Sequence, residues 1–336
     1  MLDFYITAKE RGLRILQLTD MQIIDSAQCR YVGRLNDKSM MDWDISRVDE
    51  NLFYDMDQLV KETNPDLIII TGDIVYGEFD DRGTTMLLFI EKMESYGIPW
   101  APVWGNHDNE TKMTVDWQIE QLKKAEHCLF KKGTVTGTSN YTIGICNQNG
   151  DVIRVVYMLD SNGCGFATDA SVAQGVKCDA GFDVSQLNWI ETVHKKVWEK
   201  YSATPSFACF HIPPLDLMEI FENRGWLQND DYLHRERFKP YKIKGSTVEF
   251  GGIGEAFCPF PLRVKDSFKR AEVDGVFFGH DHLNDCSVVE DGIRWTFGVK
   301  TGRYDYHSVD KLGGTVIDIS PNGKSFKVKH KYISKS

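Results

Sequence analysis

Three features of the sequence predict an α/β fold. Up to about residue 126, short apolar runs alternate with segments of helical periodicity, a pattern that gives right-handed crossovers and a largely parallel sheet. Five of the apolar runs stop abruptly in Asp, Asn or His, as buried strands do when they deliver ligand groups beyond their carboxyl ends. The segment Asn147-Gln148-Asn149-Gly150 then signals a hairpin and brings in antiparallel pairing.

The first strand, Leu13 to Leu18, leaves through Thr19-Asp20-Met21-Gln22. The polar stretch Asp25 to Asp44 carries Arg30, Arg34 and Lys38; it reads as a solvated surface loop, with a substrate-contacting lid as the alternative. Ile45 to Glu62 has apolar residues at Val48, Leu52, Phe53, Met56, Leu59 and Val60, which is helical spacing, and Asn64-Pro65 stops it. The strand Asp66 to Thr71 delivers Gly72-Asp73, and a helix over Thr84 to Ser95 leads to the strand Trp100 to Trp104. That strand ends in Gly105-Asn106-His107-Asp108, and a helix over Val115 to Glu126 follows.

Strands are expected at Ser139 to Ile145 and Val152 to Leu159, and a Gly- and Cys-bearing loop over Asn162 to Phe182. Next comes a helix over Ser185 to Lys200, with Ser185 as its cap and Leu187, Ile190, Val193 and Val197 on one face. The strand Ser206 to Phe210 gives His211. Leu215 to Pro261 is the least regular part of the chain and is expected to be an insertion that covers the site. A helix over Arg263 to Ala271 precedes the strand that ends in Gly279-His280-Asp281-His282. Three closing strands lie near Ile293 to Phe297, Gly314 to Ile319 and Phe326 to His330. With no repeat and no dividing linker, residues 1–336 are expected to be one domain.

Hydrophobic residues at 42% and charged residues at 26% describe an ordinary globular protein, and the net charge of −10 argues against general nucleic-acid binding. No segment approaches the ~18 apolar residues of a membrane span, and Met1 to Lys9 lacks the build of a signal peptide, so a cytoplasmic location is expected. The eight cysteines are scattered and read as mostly free thiols. Cys164 and Cys178 are the pair with most claim to a disulfide.

Asp20, Asp73, Asn106, His107, Asp108, His211, His280 and His282 therefore gather at five strand ends as one site. These are oxygen and nitrogen donors without thiolate, suited to Fe, Mn, Zn or Co and too rich in imidazole for calcium. They exceed what one ion needs, and two ions sharing a bridging carboxylate account for the surplus. His127, His194, His234 and His330 are lone histidines, a type more often at the surface than a ligand, and are left unassigned. His307, in Thr301-Gly302-Arg303-Tyr304-Asp305-Tyr306-His307, either borders the substrate or belongs to a structural turn.

In order along the chain, Asp20, Gly72-Asp73, Gly105-Asn106-His107-Asp108, His211 and Gly279-His280-Asp281-His282 resemble the motif series of the calcineurin-like metallophosphoesterases. The extended form Gly279 to Asp285 is similar to a purple-acid-phosphatase-like branch that includes the Dcr2 phosphatase. The resemblance implies a four-layer α/β/β/α sandwich of two mixed sheets flanked by helices. It implies that Asp20, Asp73 and His282 hold a first metal, and that Asp73 bridges to a second held by Asn106, His211 and His280. His107 would act on the leaving oxygen with Asp108 beside it, and a metal-bound water with its pKa lowered toward ~7 would be the nucleophile.

The expected chemistry is hydrolysis of a phosphate monoester on a small molecule or a protein. Two alternatives stand: a phosphodiesterase using the same site, and a non-catalytic interaction module on this fold. One motif departs from the family. Asp20-Met21-Gln22 stands where most members have Asp-x-His, so an imidazole on the first metal is missing. Gln22 could supply its amide oxygen, or the position could stay open. The third solution is Tyr76, because Gly72-Asp73-Ile74-Val75-Tyr76 matches the Gly-Asp-x-x-Tyr of purple acid phosphatases, whose tyrosine is a phenolate ligand.

Overall fold

A computed structural model describes residues 2–24, 48–163, 181–223, 248–252, 260, 262–308 and 310–333. Its strands are β1 (Phe4–Thr7), β2 (Leu13–Leu18), β3 (Leu67–Thr71), β4 (Trp100–Val103), β5 (Tyr141–Cys146), β6 (Val152–Met158) and β7 (Ser206–Cys209). Then come β8 (Val248–Phe250), β9 (Val273–Phe278), β10 (Ser287–Glu290), β11 (Ile293–Phe297), β12 (Gly313–Ile319) and β13 (Phe326–Tyr332). The α-helices are α1 (Val48–Thr63), α2 (Thr84–Ser95), α3 (Val115–Leu122), α4 (Val184–Tyr201), α5 (Leu215–Asn223) and α6 (Lys265–Arg270).

The strands form two mixed sheets, one of order β13-β12-β2-β3-β4 and one of order β1-β5-β6-β7-β9-β11-β10-β8. In the smaller sheet β2, β3 and β4 run parallel, and β12 and β13 add antiparallel at one side. In the larger sheet β6, β7, β9 and β11 run parallel. β3 reads Leu-Ile-Ile-Ile-Thr with every residue buried, as a strand covered on both faces must be.

One apolar cluster joins Leu52, Met56, Met86, Phe89 and Ile119 of the first three helices to the smaller sheet, and continues to Ile143, Val156, Phe207 and Phe277 of the larger one. A second covers the other face of the larger sheet with Leu187 and Ile190 of α4, Leu217 and Phe221 of α5 and Phe268 of α6. Helices, sheet, sheet and helices are thus four layers, as the motif resemblance implied.

Several expectations needed revision. The cap of α4 lies two residues earlier than expected: Asp183, not Ser185, accepts from the backbone amides of Ser185 and Gln186 (2.7 and 3.2 Å). The Gln186 side chain returns the bond to the Asp183 amide (3.1 Å), closing a capping box. β1 and β10, which the sequence reading did not include, are four residues long and only partly buried, unlike the equally short but fully buried β4 and β7, so they do not stand out as buried apolar runs. Within the expected insertion, Leu215–Asn223 is a helix and Val248–Phe250 extends the larger sheet. Arg30, Arg34, Lys38, Cys164 and Cys178 lie outside the described residues. Cys128, Cys146, Cys209 and Cys286 are free thiols. No helix among the described residues is long and apolar enough to cross a membrane.

At the end of the sandwich away from the ligand residues, Arg154 of β6 is fully buried. Its guanidinium pairs with Asp274 of β9 (2.5 and 3.0 Å), donates to the Gly323 carbonyl in the β12–β13 turn (2.7 and 3.0 Å), and lies 4.1 Å over the Phe207 ring. This one cation ties the two sheets together. Removing its counter-charge leaves a buried guanidinium only partly satisfied, so Asp274→Ala is expected to lower stability by about 3 kcal/mol. Urea unfolding reads this as a lower midpoint at unchanged slope; a midpoint equal to wild type would refute the assignment.

Candidate metal centre

β2, β3, β4, β7 and β9 all point their carboxyl ends to one edge of the sandwich, and every motif residue leaves from one of those ends. The turns are sharp. Asp20, Asp73 and His280 all adopt left-handed backbone (φ 50°, 52° and 79°), a conformation that costs non-glycine residues and collects at functional sites. Glycines make the convergence possible. A Cβ on Gly105 would collide with the Asp73 carboxylate, and one on Gly279 with the Thr19 hydroxyl and Asp20 carboxylate.

Ligand atoms of Asp20, Asp73 and His211 lie within 4.8 Å of one another, and all three residues are buried. His211 Nδ1 is 2.8 Å from the Thr71 carbonyl, which can only accept, so Nδ1 carries the hydrogen and Nε2 faces inward. There it meets Asn106 Oδ1 at 3.1 Å and Asp73 Oδ2 at 3.3 Å. His282 is built alike: Nδ1 donates to the Tyr306 carbonyl (2.8 Å), the Tyr306 ring stacks on the imidazole at 4.3 Å, and Nε2 lies 3.6 Å from Asp20 Oδ1. The His280 backbone amide donates to the Asp20 carboxylate (3.1 and 3.2 Å), and its ring packs edge-on to His211 at 5.1 Å.

Electrostatics match a cation site. Burial alone would push Asp20 up, but His282 and His211 more than offset it and bring it down to about 2; Asp73 is also lowered, against its own burial, by His211 and His107. Burial pulls His211 down, yet Asp73 and Asp20 outweigh that and raise it to about 9. Two buried carboxylates and an amide oxygen around inward-facing imidazole nitrogens demand positive charge, which a transition-metal ion supplies through the same donors. The residues present therefore fit the ions that the donor set implies.

His107 and Asp108 take different parts. His107 Nδ1 pairs with Glu110 Oε2 at 2.7 Å, and its backbone amide donates to Asp73 Oδ1 at 2.9 Å. Burial lowers its pKa, but Glu110 and Asp73 outweigh that and raise it to about 10. Asp108 accepts from the amides of Ile74 (2.9 Å), Val75 (3.0 Å) and Gly105 (2.8 Å), so it braces the turn after β3 against the turn after β4. The carboxylate beside the His107 ring is thus Glu110, which the motif reading passed over. Its spacing of three from His107 in a turn starting at Asn106 was the available signal.

The Tyr76 ring stacks on the His107 ring (4.2 Å, 24°) and packs with Ile24, Phe79 and Tyr304. His307 bonds back to the Asp305 carbonyl (3.0 Å) in the turn whose Tyr306 covers His282; Arg303 anchors that turn to buried Asp55 of α1 (2.5 and 2.7 Å). The Gln22 oxygen is turned away from the ligand atoms, toward the buried ammonium of Lys300 (2.6 Å). Lys300 was not legible as part of the site; a lone lysine after an apolar strand carries no motif.

A family model described as calcineurin-like phosphoesterase matches residues 13–284. "Probable inactive purple acid phosphatase 28" of Arabidopsis thaliana is 25% identical over 274 residues, 75% of this chain and 61% of that protein. "Phosphatase DCR2" of Saccharomyces cerevisiae is 28% identical over 249 residues, 70% of this chain and 39% of its own length. The chain therefore spans less than two thirds of the length of either relative. The crystal structure of a dimetal phosphatase from Danio rerio superposes with a TM-score of 0.51 at 11% identity, covering 95% of each chain, which is a likeness of fold.

Proposed function

The chain belongs to the calcineurin-like phosphoesterases, and from that premise we propose that it hydrolyses phosphate monoesters at a dinuclear metal centre. The observation that carries this reading is the convergence of Asp20, Asp73 and His211 beside a His107 held by its own carboxylate. In it, Asp20, Asp73 and His282 hold a first ion, and Asp73, Asn106, His211 and His280 a second. Two ions bound there supply Lewis acidity toward the phosphoryl oxygens and a nucleophile from water near neutral pH.

The remaining steps belong to this chain's own groups. Glu110 keeps His107 protonated and its ring oriented, so that the imidazolium can give its proton to the departing oxygen. Asp108 holds the Asp73 and Asn106 turns in register, a positioning role. Asp305, whose carboxylate also helps to raise His107, and His307 lie on the turn beside His282 and border the leaving group.

Turnover of p-nitrophenyl phosphate alongside bis-p-nitrophenyl phosphate, with Mn, Fe, Zn or Co added, tests the reading. Preference for the monoester supports it, and preference for the diester would move the chain to phosphodiesterases. The word "inactive" in a relative's name makes a third outcome informative: no turnover of either ester with two ions bound would assign the fold a non-catalytic role.

In this proposal Tyr76 would complete the first ion's ligand set through its phenolate. The expected result is a broad visible absorption band in iron-loaded, oxidised protein that is lost in Tyr76→Phe. If active, iron-loaded wild type is colourless, the tyrosine serves only as the stacking partner of His107.

A further inference from the structure

Gln22 is fully buried, has left-handed backbone (φ 49°), and ties its amide N–H to the Asp73 carbonyl at 2.9 Å, so its side chain has little freedom. Lys300, 2% exposed and arriving from the segment between β11 and β12, donates to Gln22 Oε1 (2.6 Å) and to the Asp20 carbonyl (2.9 Å). An ammonium has donors only, so the atom it holds must be the amide oxygen. The Gln22 NH2 therefore faces the other way, 3.2 Å from His282 Nε2 and 3.4 Å from Asp73 Oδ2. His282 Nδ1 already donates to Tyr306, which makes Nε2 the acceptor in that pair.

In the proposed dinuclear centre, on which this inference rests, His282 Nε2 serves the first ion alone, whereas Asp73 Oδ2, also 3.3 Å from His211 Nε2, is shared between the two positions. We propose that Gln22 and Lys300 make the two metal positions unequal: the Gln22 NH2 engages the atoms a first ion needs, so the second position fills first and the first only at higher metal concentration. Two effects act together. Entry of the first ion must displace two hydrogen bonds in a buried, strained segment, where a histidine at position 22 would instead offer a lone pair. It must also approach a buried positive charge one carboxamide away, where repulsion is weakly screened.

The test titrates the metal-stripped full chain with Mn²⁺ alone, following free Mn²⁺ by electron paramagnetic resonance, with thermal unfolding by circular dichroism to check that each variant is folded. Wild type is expected to show two classes of site at least about tenfold apart, on the scale of outer-sphere effects on metal affinity. Gln22→His is expected to tighten the weaker class by about 10- to 100-fold and leave the tighter one in place. Lys300→Met, which frees the amide oxygen to turn inward and removes the charge, is expected to tighten the same class by about tenfold. Two equal sites in wild type, or a weaker class unmoved in both folded variants, would overturn the inference while leaving the dinuclear reading intact. Failure of wild type to take up any Mn²⁺ at millimolar concentration would overturn the dinuclear reading itself.

Discussion

Asp73→Asn is expected to abolish retention of a metal pair and to lower kcat by on the order of 10³ or more, the scale of several kcal/mol of charge stabilisation. The reason lies in how many neighbours converge on this carboxylate. Oδ1 accepts the His107 amide at 2.9 Å, while Oδ2 stands 3.3 Å from His211 Nε2 and 3.4 Å from the Gln22 amide nitrogen. Its pKa is held low although the residue is buried, so the site contains a fixed negative charge that asparagine cannot supply. Asparagine keeps the shape and one oxygen, which separates loss of charge from loss of packing. Elemental analysis beside steady-state kinetics is the measurement, and a variant that retains two ions at wild-type affinity would remove Asp73 from the bridging position.

His107→Ala is expected to keep its metal and its fold while kcat falls by about 10² to 10⁴, the range for a positioned general acid. The loss should shrink along a series of aryl phosphates as the leaving group improves, because a good leaving group needs no proton. Equal losses across the series would assign His107 to the transferring phosphoryl oxygens instead. Glu110→Gln sharpens the test. Glu110 is the largest influence raising His107 toward about 10, so without its charge the imidazolium should lose its proton at lower pH. The alkaline limb of the rate profile should then move down; a limb that stays in place would mean that His107 is not the group titrating there.

Much of this site could be read from a single sequence because its ingredients are local. A buried strand is an apolar run, and the residue after it occupies the sheet edge whatever the rest of the chain does. Asp20, Asp73, Asn106, His211, His280 and His282 are the candidates that this rule offers, and the structure brings those strand ends to one edge. Through the resemblance of their order to the calcineurin-like motif series, they also implied the two-sheet architecture before any contact was known. The four-residue strands β1, at one edge of the larger sheet, and β10, inside it, were missed because neither is buried along its whole length as the equally short β4 and β7 are.

What the sequence determined by itself, then, was the chemical identity of the candidate donors and the strand ends that carry them, because both depend on neighbours a few residues away. The tertiary structure alone decided which atom of each donor faces inward. The His211 tautomer is fixed by a carbonyl 140 positions distant, at Thr71. The partner of His107 is Glu110 rather than Asp108, because Asp108 is occupied by three backbone amides from two separate turns. Gln22 presents nitrogen instead of oxygen because Lys300 reaches it from 278 positions away. A hydrogen bond's direction depends on which partner arrives at bonding distance, and for buried groups that partner comes from packing, over separations that residue patterns do not encode.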